Sequence, residues 1–467
     1  MNRFFSLPMR PTLLTLLVLA IPTGVLGADL PGGATTNTTK LGPHAYSEPA
    51  ANLSLADTLD FKVGRGFFER IWVTAPSSTE AADGLGPLYN ARACNQCHPR
   101  NGRGHAPSDP SENPVSLVAH LSIPGGDRSP RPIPEPVYGA QLQTFAVPGL
   151  AAEGRLAVRY EPIELALNGE TVELRRPDYR IVDTAYGAPH ADLRLSPRVS
   201  PPLIGLGLLE LIPEAALRAQ ADPDDTDADG ISGRPNEVWS TSLGRIAPGR
   251  FGWKAGHATI DDQNQAAFRN DIGLSTPQHP AGSGDCTASQ TACLELPDGN
   301  SPQYESLEVH TVITNLVRDY VHNLAPPAGQ THDPEAIGHG KTLFHDAGCA
   351  ACHTPHWRTA PSADRPHLGG QDIWPYTDML LHDMGEGLAD HRPEALADGR
   401  EWRTAPLWGI GRSATVSGHS GFLHDGRARS LLEAVLWHGG EAGTARDRVI
   451  AMPPQQRQRL IGFLESL

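Results

Sequence analysis

Gly348-Cys349-Ala350-Ala351-Cys352-His353 decides the reading of this chain, because its Cys-x-x-Cys-His spacing occurs again at Cys94-Asn95-Gln96-Cys97-His98. Two thiols three positions apart can each add across a vinyl group of one porphyrin, and the imidazole that follows then sits beneath the iron as proximal ligand. No other common chemistry needs all three groups. With 6 Cys and 20 His in 467 residues, chance supplies about 0.003 such motifs. The pair therefore predicts two covalently bound c-type haems, attached through Cys94, Cys97, Cys349 and Cys352, with His98 and His353 on the two irons. A redox dithiol would sit in a βαβ pattern, and a zinc site would offer a second Cys/His pair at ligand spacing. Neither accompanies these motifs.

The length suits two or three domains. Apolar residues make up 39%, and 48 Gly and 43 Pro imply long loops. A net charge of −15 leaves no electrostatic footprint for nucleic acid and favours a basic redox partner protein, such as a small cytochrome or a cupredoxin. At the N-terminus Arg3 and Arg10 precede an apolar run from Leu13 to Ile21, with Val25-Leu26-Gly27 before Ala28. This pattern predicts a signal peptide over 1–27, export to the periplasm and a mature chain with no integral membrane span. In such a compartment Cys286 and Cys293, seven residues apart in a Gly-rich loop, are expected to form a local disulfide.

The expected fold is mainly α: two cytochrome c-like haem domains, the first (28–325) expanded by a β-hairpin-rich insertion near 113–182 and long loops, the second compact (335–467). Val63, Phe67 and Ile71 predict the apolar stripe of a helix over 61–73. Ile163, Leu165 and Leu167, then Asn168-Gly169, then Val172 and Leu174, predict a hairpin with a primed turn. Helical patterning returns over 208–219 and over 306–324, where Val309, Ile313, Leu316, Tyr320 and Leu324 share a face. Ala325-Pro326-Pro327-Ala328-Gly329 ends it. A terminal helix with Leu460, Phe463, Leu464 and Leu467 on one stripe should cross the helix before Cys349, with Gly338 and Gly340 permitting close approach.

Asp225, Asp227 and Asp229, followed by Gly230, match the first half of a calcium loop. Its twelfth position is Asn236, with Glu237 one residue late, so a solvated acidic turn is the competing reading. For a distal ligand to the second iron, His438 follows a helix opened by a Ser430/Glu433 capping box and closed by Gly439-Gly440. Met384 and Met452 compete for the role.

Read together, 83–91 (DGLGPLYNA), 205–213 (GLGLLELIP), 249–255 (GRFGWKA), 375–390 (PYTDMLLHDMGEGLAD), 401–411 (EWRTAPLWGIG) and 422–440 (FLHDGRARSLLEAVLWHGG) resemble the di-haem oxidoreductase family of exported proteins, also called di-haem peroxidases or thiol oxidoreductases. More distantly, Arg403-Thr404-Ala405-Pro406-Leu407 with Phe422-Leu423-His424-Asp425-Gly426 is similar to bacterial di-haem cytochrome c peroxidases and MauG-type enzymes. That resemblance implies His438 as distal ligand of the second iron, where the peroxidases carry Met and MauG carries Tyr. It also implies Glu210 as the catalytic acid near the first haem, although the proline that normally precedes that acid is missing here. The thiol label finds no residues, since the Cys pairs are the haem anchors. The implied activity is peroxidase-like: a small oxidant meets the first haem and the second supplies an electron. Trp253 stands either as a stepping stone between the two or as a core tryptophan. The alternative is an electron carrier with both irons closed by two protein ligands.

Overall fold

The structure, a computed structural model, describes residues 30–467 apart from 108, 110–111, 114, 126–131 and 331–332. The expected signal segment 1–27 lies outside the described residues. Here the expectation of a mainly α protein is overturned: helix accounts for 30% and strand for 19%, the strand spread over several small sheets. Glycine and proline keep most helices short, and the resulting loops are pinned by two- to six-residue ladders instead of by further helices.

Among the described residues, four helices frame the N-terminal half. They are α1 (Leu55–Phe68), α2 (Cys94–Cys97), α3 (Leu206–Glu210) and α4 (Glu214–Ala219), the last two separated at Pro213 within the stretch expected to be one helix. Then come α5 (Thr311–His322), α6 (Pro334–Ala347), α7 (Leu431–Leu436) and α8 (Pro454–Ser466). The start of α1 is fixed by Ser54, whose hydroxyl accepts from the Asp57 amide at 3.1 Å. Its buried face is Phe61, Gly64 and Phe68, whereas Val63 and Ile71 of the expected stripe are exposed. A glycine made that choice. A Cβ on Gly64 would stand 2.2 Å from the Leu316 carbonyl oxygen, so α1 meets α5 backbone to backbone there, with Phe61 and Phe68 at 4.8 and 5.1 Å from the Tyr320 ring.

The strands that matter are β1 (Leu117–Ser122), β2 (Arg155–Leu167), β3 (Glu170–Val182) and β4 (Arg194–Val199). β2 and β3 form the expected hairpin, pairing Leu167 with Glu170 around Asn168-Gly169. Gly169 has a φ of +86°, which the primed turn requires. The hairpin tip grips the C-terminal region: the Asn168 amide donates to Ile450 O at 3.0 Å, and Arg457 donates to the Asn168 carbonyl and to Glu170, both at 2.7 Å. Accordingly Leu156, Leu167 and Leu174 share one apolar cluster with Phe344, Leu460 and Phe463. β1 pairs antiparallel with β4, and its side chains alternate, Leu117, Ala119 and Leu121 entering that cluster.

α8 crosses α6 as the sequence suggests, through one of the two glycines. A Cβ on Gly340 would lie 2.2 Å from Arg459 O, while one on Gly338 meets nothing within 4 Å. Gly338→Ala should therefore raise unfolding free energy by about 0.5–1 kcal/mol through helix propensity. Gly340→Ala should lower it by about 1–3 kcal/mol through overpacking. Denaturant melting of the two variants separates them, and equal effects would contradict the crossing.

Candidate functional site

Each Cys-x-x-Cys-His stretch lines its own cavity. The first contains Cys94, Cys97 and His98 against Phe68, Phe251 and Phe268. His98 Nδ1 is 2.9 Å from the Pro201 carbonyl oxygen, so Nδ1 carries the proton and Nε2 is the nitrogen left to meet a metal. The second cavity contains Cys349, Cys352, His353, Met384 and His438. Gly348, with a φ of +91°, ends α6 and turns the chain into this motif. His353 Nδ1 lies 2.9 Å from Tyr376 O, and His438 Nδ1 lies 2.7 Å from Ala434 O, one turn back on α7. Ser430 caps that helix by accepting from the Glu433 amide at 3.1 Å, while the Glu433 carboxylate accepts from Arg429 N. Burial pushes His98 and His353 down to about 4, and His438 down as well. All three imidazoles are therefore neutral, as metal ligation requires. Met452 is absent from the lining and packs in the apolar cluster.

The four thiols are poor nucleophiles. Burial pushes Cys94 up to about 12 and Cys349 up to about 11, whereas a redox dithiol needs a depressed value. Haem suits these cavities better: paired sulfurs, a tethered imidazole, apolar walls and the buried Nε of Arg103, which has no hydrogen-bond partner among the described residues and can meet a porphyrin carboxylate. The Cys286–Cys293 disulfide is present.

Arg103, Trp253, Arg403, Ala405 and Pro406 line both cavities, so the partition between them is one residue thick. Trp253 donates from Nε1 to Val199 O at 2.7 Å and has the Arg103 guanidinium 5.4 Å from its ring centre. Glu210 lies elsewhere. It is not among the residues that line the first cavity, and its two oxygens accept from His322 Nε2 at 2.7 Å and from Ile260 N at 2.6 Å. The carboxylates the cavity does hold are Asp271 and Glu394, the latter bonded at 2.8 Å to both Arg198 and Arg392. Burial would raise the Glu394 carboxyl, but the two guanidiniums hold it far below the usual carboxylate range.

The ligand oxygens of Asp225, Asp227 and Asp229 lie within 4.8 Å of one another, and Asp229 lines the second cavity. The twelfth-position candidates are engaged elsewhere: Asn236 donates to Lys254 O and Glu394 O, and Glu237 pairs with Arg218. Sequence reading missed His382. Its Nε2 is 2.8 Å from Asp378, its Nδ1 is 2.7 Å from Glu441, and Cys352 Sγ lies 3.8 Å from that Nδ1. Only a protonated ring donates from both nitrogens.

Residues 26–121 and 132–467 match the family described as "Di-haem oxidoreductase, putative peroxidase". The chain belongs to the di-haem oxidoreductase family. The resemblance seen in the quoted stretches thus extends over nearly the whole of this family member, and the activity that the description names is an oxidoreductase's. Among solved structures, one of Kuenenia stuttgartiensis hydrazine synthase is similar at 16% identity with a TM-score of 0.23, covering 44% of this chain and 70% of that one. No curated protein matches. Among the described residues, no helix is long and apolar enough to cross a membrane.

Burial would lower the His382 pKa, but its bonds to Asp378, Cys352 and Glu441 outweigh that and push it up to about 12. A raised histidine stabilises fully below its unfolded value of about 6.5, and the contribution fades as pH climbs toward the folded value. Unfolding free energy should fall across that alkaline range. His382→Gln, which leaves two buried carboxylates without their cation, should cost about 3 kcal/mol at neutral pH and flatten the slope. A pH series of chemical melts checks both.

Proposed function

We propose that this chain is an exported c-type di-haem oxidoreductase of peroxidase type, in which a small oxidant reacts at the first cavity and electrons arrive through the second. The observation that supports it is the difference between the two cavities. His353 and His438, both tethered by Nδ1, line the second and can close an iron from two sides. The first sets tethered His98 beside Gln141, Arg198 and Glu394, side chains suited to handling a polar guest. Bound haem would supply the one-electron chemistry that no side chain here offers.

In this reading the protein's own groups divide the work. Cys94 with Cys97, and Cys349 with Cys352, anchor; His98 and His353 orient; His438 closes the second site. The backbone tethers hold each imidazole in one tautomer and one plane. Trp253, in the shared partition, shortens the gap an electron must cross. Glu210, engaged by His322 and Ile260, ties the end of α3 to the backbone at Ile260. The acidic surface suits a basic electron donor of the small-cytochrome or cupredoxin kind in the periplasm.

Cys94→Ala and Cys352→Ala should each leave a protein that carries one haem by mass and by in-gel haem stain. The intact half-reduced protein should change its visible spectrum when hydrogen peroxide is added. A spectrum indifferent to peroxide in both reduction states would replace this reading with plain electron transfer. His438→Ala should convert a low-spin ferric resonance to high spin, because removing one of two strong imidazole ligands weakens the field. An unchanged resonance would assign the position to Met384.

A further inference from the structure

The first cavity holds a pair of side chains that haem attachment does not explain. On β1, Val118 and His120 alternate with the core-facing Leu117, Ala119 and Leu121 and line the first cavity. β4 sets Arg198 opposite Val118 in the ladder, and Arg198 lines the same cavity while only 4% exposed. Its Nε donates to Ser196 Oγ at 2.9 Å and its Nη1 bonds Glu394 at 2.8 Å. Among the described residues Nη2 has no hydrogen-bond partner; an Asp390 carboxylate oxygen is 3.7 Å away. A buried guanidinium donor left unfilled is costly, and an anion inside the cavity would fill it.

We propose that His120 accepts the proton of a small protic guest of the hydrogen peroxide or hydrogen cyanide class in the first cavity, and that Arg198 Nη2 donates to the anion so formed. The inference rests on the first cavity being open to small molecules, as proposed above. In the step, an H–X bond breaks as an N–H bond forms on the imidazole. The electron pair stays on X, and no oxidation state changes. The new anion completes the hydrogen bonding of Arg198 and offsets the charge placed on His120.

His120 is freer than the cavity's two carboxylates. Burial, then Arg198 and Arg392, with His257 adding to them and Glu394 opposing, keep His120 well below the usual histidine range. It therefore rests unprotonated and, as a weak base, gives up again readily a proton that it takes. Glu394 is committed to two guanidiniums. Asp271 is the rival, its carboxyl pushed up to about 6 by burial. However, it already accepts from Gln141 at 2.7 Å and lies near enough to Cys94 and Cys97 to raise both thiols, which puts it beside the attachment cysteines.

Stopped-flow binding to the haem-loaded protein tests this with two probes, cyanide on the oxidised form and carbon monoxide on the reduced form. Hydrogen cyanide must lose a proton to bind as an anion, and carbon monoxide has none to lose. His120→Ala and His120→Gln should slow cyanide association by at least about a hundredfold, with carbon monoxide association unchanged. Arg198→Lys should weaken cyanide affinity by about tenfold. The inference fails if the His120 variants take up cyanide at the wild-type rate, if both probes slow together, or if Asp271→Asn reproduces the loss and the His120 variants do not. Wild-type protein that binds neither probe would show a closed first site and sink the proposed function as well. Wild-type protein that binds both, with His120 variants that do the same, sinks this inference alone.

Discussion

A backbone carbonyl accepting from an imidazole Nδ1 is the contact on which both cavities depend. Pro201, Tyr376 and Ala434 supply it to His98, His353 and His438. Each carbonyl fixes which nitrogen carries the proton, and so which nitrogen can meet a metal. The elements around the cavities serve largely to put those carbonyls in place. Gly348 turns the chain out of α6, the loop after β4 delivers Pro201 beneath His98, and the Ser430 cap sets the axis of α7 so that His438 sits one turn beyond Ala434.

The two cavities are not independent compartments. Arg103, Trp253 and Arg403 face both, and the hairpin that begins in the N-terminal half is clamped at its tip by Arg457 of the last helix. A guanidinium against the Trp253 ring makes an indole cation harder to form there. In the proposed function, the partition would therefore favour electron passage through a tryptophan that stays closed-shell over one that is itself oxidised.

Where the sequence carried a strong local signal, the fold was legible. Alternation on both sides of Asn168-Gly169 disclosed the hairpin and placed its turn, and the Leu460–Leu467 stripe disclosed the terminal helix. Two-residue ladders such as Leu88-Tyr89 with Phe145-Ala146 have no period to detect, and for this reason a mainly α chain was expected. The buried face of α1 was misread because a glycine, invisible to an apolar stripe, set the approach to α5. In the sites, spacing pointed to Cys94, Cys97 and His98 and to Cys349, Cys352 and His353, which line the two cavities, while helix-end chemistry and the resemblance pointed to His438, which lines the second. These signals could not reveal His120, Arg198 or His382, which reach the cavities by strand register and by pairing with residues distant in sequence. Glu210 was singled out by resemblance, and its real partners, His322 and Ile260, lie 112 and 50 residues away.

The first cavity draws its walls from Phe68 at one extreme and Trp408 at the other. A chain emerging from its N-terminus presents Cys94 and Cys97 long before Glu394, Arg403 and Trp408 exist to cover them, while the second cavity needs only late residues apart from Arg103, Asp229, Ile231 and Trp253. Segments fold in the order they appear. The earlier pair of thiols thus waits longest for its cover, whereas Cys349 and Cys352 are soon followed by the residues, down to Leu464, that complete the second cavity. The first cavity stays open while most of the chain emerges, and both close within its final third.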